Sequence, residues 1–287
     1  MRWWFLHGTG LSVTTGCPDD EDWAHGVLAL QYWRVSAQPY QDPRLAGVYQ
    51  RGNAMPTSSL QAWVDKILSL GPAGRSATLD VGTGTGMFAA ALAAADVSGV
   101  TVGVDPSPAM LMEALRFNSH PRVRYVAGEA GALPIAANSI DLALLSRVIH
   151  HLPDRRRCAR ELRRVLRPGG AVVVRTTVRE RLDAVVYDYW PRLRELDQAR
   201  FPSAAMIVGD FETAGFAVTA SASFSQPVQP SLRAFHDVLA SRPQSKFDML
   251  TADEFATGLT RLRQDADVEA DEREVRERYD VLAFSVR

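Results

Sequence analysis

Apolar and polar positions alternate in blocks between residues 76 and 176. Ser76–Val81, Val100–Val104, Val123–Ala127, Ile140–Leu145 and Ala171–Arg175 are short apolar runs bounded by Gly, Asp or Pro, and read as buried strands. Between them, Met87–Ala95, Ser107–Asn118 and the stretch from about Asp154 to Leu166 carry helical periodicity. Upstream, Leu60, Trp63, Val64, Ile67 and Leu68 recur at i, i+3, i+4, i+7 and i+8, a helix that Gly71-Pro72 stops. Downstream, Ala217–Phe224 and Val281–Val286 read as two further strands, and the connection between them is too long for a plain hairpin. The alternation predicts an α/β fold, a doubly wound seven-stranded sheet read as parallel through its repeating part. Pro168-Gly169-Gly170 reads as the turn into the fifth strand.

This pattern also divides the chain. Residues 1–26 show no period and read as an irregular N-terminal arm. Residues 27–70 read as a helical cap segment. Residues 71–226 and 276–287 form the core, with an insertion at 178–208, and residues 227–275 form a second cap insertion. Ligands of open α/β sheets bind outside the carboxyl ends of the strands, so the caps are expected to close over that edge.

Composition narrows the function classes. The 287 residues carry 32 basic and 33 acidic side chains, a formal net charge of −1. Such a balance argues against a general nucleic-acid binder. Two cysteines, Cys17 and Cys158, are too few for a disulfide framework or a thiolate metal cluster. The longest apolar start, Trp3–Leu6, is too short for a signal sequence, and no run approaches a membrane span. The expectation is a cytoplasmic protein. Thirty arginines stand against two lysines, Lys66 and Lys246, a bias that reads as genomic composition.

The chemistry concentrates in Leu79-Asp80-Val81-Gly82-Thr83-Gly84-Thr85-Gly86, between the first strand and the first helix of the repeat. Glycines there let a ligand approach the backbone at a helix N-terminus. The spacing departs from the dinucleotide fingerprint, because Met87 stands where its third glycine belongs, and the Walker lysine is missing. Asp80, two positions before the first glycine, would repel a pyrophosphate and suits an ammonium or sulfonium. Asp105 ends the second strand 21 residues after Gly84, where a carboxylate can accept both hydrogen bonds of a ribose diol. Its alternative role is the N-cap of the next helix, which Ser107 could equally supply. Glu129, after the third strand, could accept from an adenine amino group, or be a solvated loop acid.

Together these features resemble the class I S-adenosylmethionine-dependent methyltransferases, particularly the subgroup of ubiquinone and menaquinone biosynthesis. The resemblance runs through LDVGTGTG (79–86), GVDPSPAML (103–111), AGEAGALPIAANSIDLALLSRVIHHL (127–152) and ELRRVLRPGGAVVVRT (161–176). It implies that Gly82, Thr83 and Gly84 approach the methionine portion of S-adenosylmethionine, that Asp105 binds the ribose, and that Pro106 and Met110 lie beside the adenine. Glu129 and Ala130 would read the adenine edge, and Ser146 would lie near the transferable methyl. Ala46–Arg51 resembles the family segment in which a Tyr and a following Arg close over the methionine carboxylate; here they are Tyr49 and Arg51, with Gln50 in place of the usual Asp. The implied product is S-adenosylhomocysteine, and no metal is implied.

His150 and His151 follow the fourth strand and are the candidate general bases, since imidazole titrates near neutrality; the alternative is a purely structural pair. Adjacent histidines without a Cys or Glu-x-x-His partner make a poor metal set. The seven arginines between Arg155 and Arg167 could form an RNA-binding patch, but a solvated helix face is favoured given the neutral total charge. Trp23, Tyr32, Trp33, Tyr40, Tyr49, Tyr187, Tyr189 and Trp190 fall in the segments expected to overhang the methyl donor. They favour a flat aromatic or heteroaromatic small-molecule acceptor, methylated at oxygen, nitrogen or electron-rich carbon, in natural-product biosynthesis. The rival readings are an RNA or protein methyltransferase and a protein that uses the cofactor without transferring methyl.

Overall fold

The computed structural model describes residues 3–7, 10–14, 28–30, 43–53, 55–96, 99–269 and 271–287. At the N-terminus β1 (Trp3–His7), β2 (Gly10–Thr14) and β3 (Leu28–Leu30) form an antiparallel sheet in the order β2-β1-β3. Two strands thus stand inside the arm read as irregular. β1, WWFLH, shows no apolar–polar alternation, and β2, GLSVT, carries only two strongly apolar residues, so neither stands out as a strand in the sequence.

The chain continues through α1 (Pro43–Gly52), α2 (Thr57–Ser69), β4 (Ala77–Val81), α3 (Met87–Ala95), β5 (Val100–Asp105), α4 (Pro108–Phe117), β6 (Val123–Ala127), β7 (Ile140–Ser146), α5 (Arg155–Val165) and β8 (Leu166–Thr176). It ends with α6 (Val186–Tyr189), α7 (Pro191–Arg200), α8 (Ala204–Thr213), β9 (Phe216–Gln229), α9 (Leu232–Leu239), α10 (Ala252–Val268) and β10 (Val275–Val286). The sheet order is β6-β5-β4-β7-β8-β10-β9. Strands β6 to β8 are parallel, whereas β10 runs antiparallel to both β8 and β9. The sheet is therefore mixed: its repeating part, β4 to β8, is parallel as expected, while β9 and β10 pair antiparallel as two long arms, with the whole second cap insertion at their tip. Pro168-Gly169-Gly170 falls within β8, between the pairs Ile140↔Leu166 and Leu142↔Ala171, where the register slips.

Side chains of β7 show why its apolar run is unbroken. Leu142 and Leu144 face one helical layer, while Ala143 and Leu145 face the other, as period-two geometry requires in a strand covered on both sides. One layer brings Leu162 of α5 and Phe211 of α8 onto the sheet; the opposite layer brings Trp63, Val64 and Ile67 of α2 and Phe88 and Leu92 of α3. Two expected boundaries move accordingly. Helix α2, read as cap, is a core layer, because its apolar stripe meets β7 and β8. Helix α8 straddles the expected end of the 178–208 insertion, and its Ile207 and Phe211 belong to the main core.

The cap has its own core. Tyr187, Trp190 and Leu193 from the first insertion pack with Phe235, Leu239, Phe247, Phe255 and Leu262 from the second. The Trp190 indole donates to the Phe255 carbonyl at 3.1 Å, and Gly258 lets helix α10 approach, since a Cβ there would lie 2.2 Å from Trp190 Nε1. Two insertions far apart in sequence fuse into one body over the sheet edge.

Candidate functional site

The site begins where β4 ends. Gly82 turns the chain with φ +67°, its amide donating to the Val104 carbonyl at 2.7 Å. A Cβ at Gly82 would lie 2.4 Å from Val148 Cγ2, so the loop packs directly under the segment after β7. Gly86, at φ +81°, starts α3 where a Cβ would lie 2.1 Å from the Tyr125 hydroxyl. That hydroxyl donates to the carbonyls of Gly86 and Asn118 at 3.2 and 2.8 Å. The loop is thereby held from both sides.

Asp105 closes β5 beside it. Its Oδ2 accepts from the Gly84 amide and its Oδ1 from the Ser107 amide, both at 2.9 Å. The N-cap of α4 is Ser107, whose hydroxyl accepts from the Met110 amide at 3.2 Å, which leaves the remaining Asp105 lone pairs for a ligand. Burial pushes the Asp105 carboxyl up to about 6, against the two amide bonds that lower it. Asp80 is buried more deeply. Desolvation raises it to about 7, opposed by the Thr83 hydroxyl that donates to it at 2.7 Å and reinforced by the charge of Asp105. Two neighbouring carboxylates that resist ionisation together describe a place for a cation and for hydroxyl donors.

A cavity of about 520 Å³ opens at the carboxyl edge, beside a smaller one of about 280 Å³. Tyr49, Gly82, Gly84, Asp105, Pro106, Met110, Glu129, Ala130, Ser146, His150 and His151 all line the larger. Asp80 and Thr83 line the smaller, which shares Tyr49, Gly82, Gly84 and Ser146 with it. Every expected site residue is thus brought to one edge except Arg51, which lies in α1 with its side chain outside the described residues. The aromatic expectation is narrower in the structure: Tyr187 lines the larger cavity, whereas Tyr189 and Trp190 are buried in the cap. Trp23, Tyr32, Trp33 and Tyr40 lie outside the described residues.

His150 sits in the larger cavity's wall, its ring 4.3 Å from that of Phe201 and 4.1 Å from that of His151. Its Nδ1 is buried with no hydrogen-bond partner among the described residues. Desolvation, then the charges of His151, Arg200, Arg147 and Lys246, hold it well below the usual histidine range. Desolvation, then Arg200 and Arg147, lower His151 as well. Both rings are neutral at pH 7, with lone pairs available and weakened basicity.

Sequence reasoning passed over the basic residues near this end. Arg147 has φ +60°, a left-handed conformation rare outside glycine, and donates to Asn53 Oδ1 at 2.9 Å. Arg175, 1% exposed, donates to Ser146 Oγ at 3.2 Å and Gln226 Oε1 at 3.4 Å, with Tyr279 and Trp63 rings 3.8 and 4.6 Å from its guanidinium. Burial lowers it to about 10, so it remains charged. The signal was present: a lone charge ends the otherwise apolar run Ala171–Val174.

The arginines of α5 are partly tied down. Arg155 and Arg156 donate to buried Asp210 at 2.8 and 2.9 Å, Arg164 to Glu161, and Arg167, just beyond the helix, to Asp141. Among the described residues no group of three His, Cys, Asp or Glu side chains is arranged to hold a metal, and no helix is long and apolar enough to cross a membrane.

Residues 79–174 match the family model for a methyltransferase domain. A protein of Mycobacteroides abscessus named an uncharacterized methyltransferase is 40% identical over 103 residues, 35% of this chain and 39% of that one. The matched segment therefore spans about two fifths of that relative's length. Among solved structures, a protein of Anabaena variabilis assigned as a methyltransferase of an antibiotic biosynthesis pathway aligns over 79% of this chain and 97% of its own, with TM-score 0.65 and 23% identity. A phosphoethanolamine N-methyltransferase of Haemonchus contortus, solved with S-adenosylhomocysteine and phosphomonomethylethanolamine, aligns over 87% of this chain and 58% of its own, with TM-score 0.55 and 17% identity.

Proposed function

We propose that this chain, which carries a class I methyltransferase domain, moves a methyl group from S-adenosylmethionine to a small-molecule acceptor. The observation that carries the reading is Asp105: a buried carboxylate fixed by the Gly84 and Ser107 amides at the lip of a cavity of about 520 Å³. Its free lone pairs suit a ribose diol, and the neighbouring Glu129 and Ala130 suit an adenine edge. Bound there, the cofactor supplies a methyl group on a cationic sulfonium. Asp80, ionised, offsets that positive charge, and Tyr49 and Arg51 belong to the helix on the donor side.

The protein's own contribution is alignment. Helix α1 and the loop before residue 246 meet through Asn53, which donates to the Pro243 carbonyl at 3.3 Å and accepts from Gln244 at 3.4 Å. That junction ties α1 to the cap loop beside the two cavities, so the walls that would align the acceptor are held together. His150 and His151 stand where a proton leaving the acceptor could be taken up. Tyr187, Phe201 and the two imidazoles favour a flat aromatic or heteroaromatic acceptor, in natural-product biosynthesis, in the cytoplasm and without nucleic acid or membrane as partner. A cavity of about 520 Å³ suits a small acceptor better than RNA or protein, and α5 arginines already held by Asp210 and Glu161 favour the same reading.

Calorimetric titration with S-adenosylmethionine and S-adenosylhomocysteine, in the presence of a chelator, tests the donor side. Folded protein that gives no heat with either rejects the reading. Mass spectrometry of candidate aromatic metabolites for a one-methylene gain tests transfer.

A further inference from the structure

We infer that the acceptor binds as an oxyanion, a carboxylate or phosphate group, anchored by Lys246 and Arg147; this rests on reading the larger cavity as the methyl-acceptor site. Lys246 lines that cavity from the cap loop, its ammonium 5.7 Å from the Phe247 ring. Among the described residues it has no carboxylate within 4.0 Å and no hydrogen-bond partner, and the two acids whose charges act on it, Asp197 and Glu277, each lie against another group. Asp197 is taken by Arg200 at 3.0 Å and by the Tyr187 hydroxyl at 2.8 Å, and Glu277 accepts from the Tyr279 hydroxyl. A half-buried ammonium facing a cavity with its neighbouring acids engaged is a charge set out for a ligand.

Arg147 stands opposite, and its position is built. The left-handed turn at Arg147 follows directly on Ser146, and its amide donates to the Arg175 carbonyl at 2.8 Å. Asn53 accepts from the Arg147 guanidinium, and the same Asn53 holds Pro243 and Gln244, three and two residues before Lys246. One amide side chain therefore sets the two cations relative to each other. Behind them Arg175 adds a third positive charge, fully buried and bonded to neutral groups, with no carboxylate within 4.0 Å among the described residues. A backbone held in a sparsely populated conformation to aim a cation, next to a buried cation left without a counterion, marks a functional constraint. An anionic acceptor in the larger cavity would meet Lys246 and Arg147 directly and feel the buried charge of Arg175 from outside that cavity.

The protein's two lysines make the test direct. Chain labelled at lysine ε-carbon with ¹³C gives two side-chain resonances, assigned with Lys66→Arg. Protein saturated with S-adenosylhomocysteine is titrated with benzoate, phenyl phosphate and benzamide. The expected result is a saturable shift of the Lys246 resonance with benzoate or phenyl phosphate, the preferred oxyanion showing the lower midpoint, and none with benzamide. The Lys66 resonance stays still. In calorimetry, Lys246→Met is expected to weaken the preferred anion by about tenfold or more, the loss of a charge-assisted hydrogen bond, and Arg147→Met to do the same. A Lys246 resonance indifferent to both anions, equal response to benzamide, or Lys246→Met affinity within about twofold of the parent overturns the inference. The donor titration separates the two readings: no heat from S-adenosylhomocysteine with an intact Lys246 response rejects the methyltransferase reading alone, and the converse rejects the oxyanion site alone.

Discussion

Gly84 and Asp105, 21 residues apart, meet across the tips of β4 and β5, where the Gly84 amide donates to Asp105 Oδ2 at 2.9 Å. The bond ties the glycine loop to the residue meant to hold the ribose, so loop and carboxylate form one rigid lip. Asp105→Ala is expected to cost about 1.5–3 kcal/mol of S-adenosylhomocysteine binding, the range for a charge-assisted hydrogen bond. That is roughly a tenfold to hundredfold rise in Kd by calorimetry. Circular dichroism checks that the variant is folded; unchanged affinity removes Asp105 from the donor site.

The same carboxylates set a pH dependence. Burial raises Asp80 to about 7 and Asp105 to about 6, above the unfolded value of 3.8. The folded state then keeps protons the unfolded chain has released, so these groups make stability fall as pH climbs from near 4 to near 7. A cationic ligand favours ionised Asp80, hence its binding releases protons. Titration just below pH 7 in buffers of different ionisation heat is expected to show net proton release with S-adenosylmethionine. The uncharged sulfur of S-adenosylhomocysteine should release fewer. Equal release for the two ligands refutes the pairing of Asp80 with positive charge.

His150 carries the orphaned Nδ1, and His151 stacks beside it. His150→Ala is expected to lower turnover by on the order of 10²-fold, the low end for a general base, because its depressed pKa makes it a weak one. Donor affinity should stay within about threefold, since the variant leaves Asp105 and the glycine loop untouched. Near-parental turnover in both single variants and the double variant excludes the histidines from proton transfer.

Gly86→Ala puts a methyl group where the Tyr125 hydroxyl stands, 2.1 Å away, at φ +81°. Both the backbone strain and the displaced tyrosine argue for a loss of roughly 1–3 kcal/mol. A denaturant midpoint lowered at constant m-value is the expected reading. Gly84→Ala, whose Cβ would meet only Tyr49 at 3.9 Å, should lose less stability and more donor affinity.

Asp210 joins two arginines of α5 to α8 while itself nearly buried. Asp210→Ala leaves Arg155, the less exposed of the pair, without its partner, and about 1–3 kcal/mol of stability should go with it. Urea denaturation measures this. A loss below about 0.5 kcal/mol places the arginine face with ordinary surface charges.

The sequence by itself determined the sheet of seven strands, the helices between its parallel members and the glycine loop. These rest on local periodicity, and Asp105 follows because parallel strands place consecutive carboxyl ends side by side. Alternation also explains β7, apolar on both faces. It did not reveal that β9 and β10 are antiparallel to their neighbours, because strand direction is a property of the connection and not of the strand. Nor did it separate α2 from the cap: an apolar stripe says that a helix is covered, and not by what. Only the tertiary structure joined residues 182–196 to 228–275 in one cap core, brought Arg147 and Lys246 from distant segments to the larger cavity, and set Asn53 and Arg175 with Arg147 along the smaller one beside it. The raised Asp80 and lowered His150 belong there too. Desolvation depends on everything packed around a group, and much of what surrounds these comes from parts of the chain far from them in sequence.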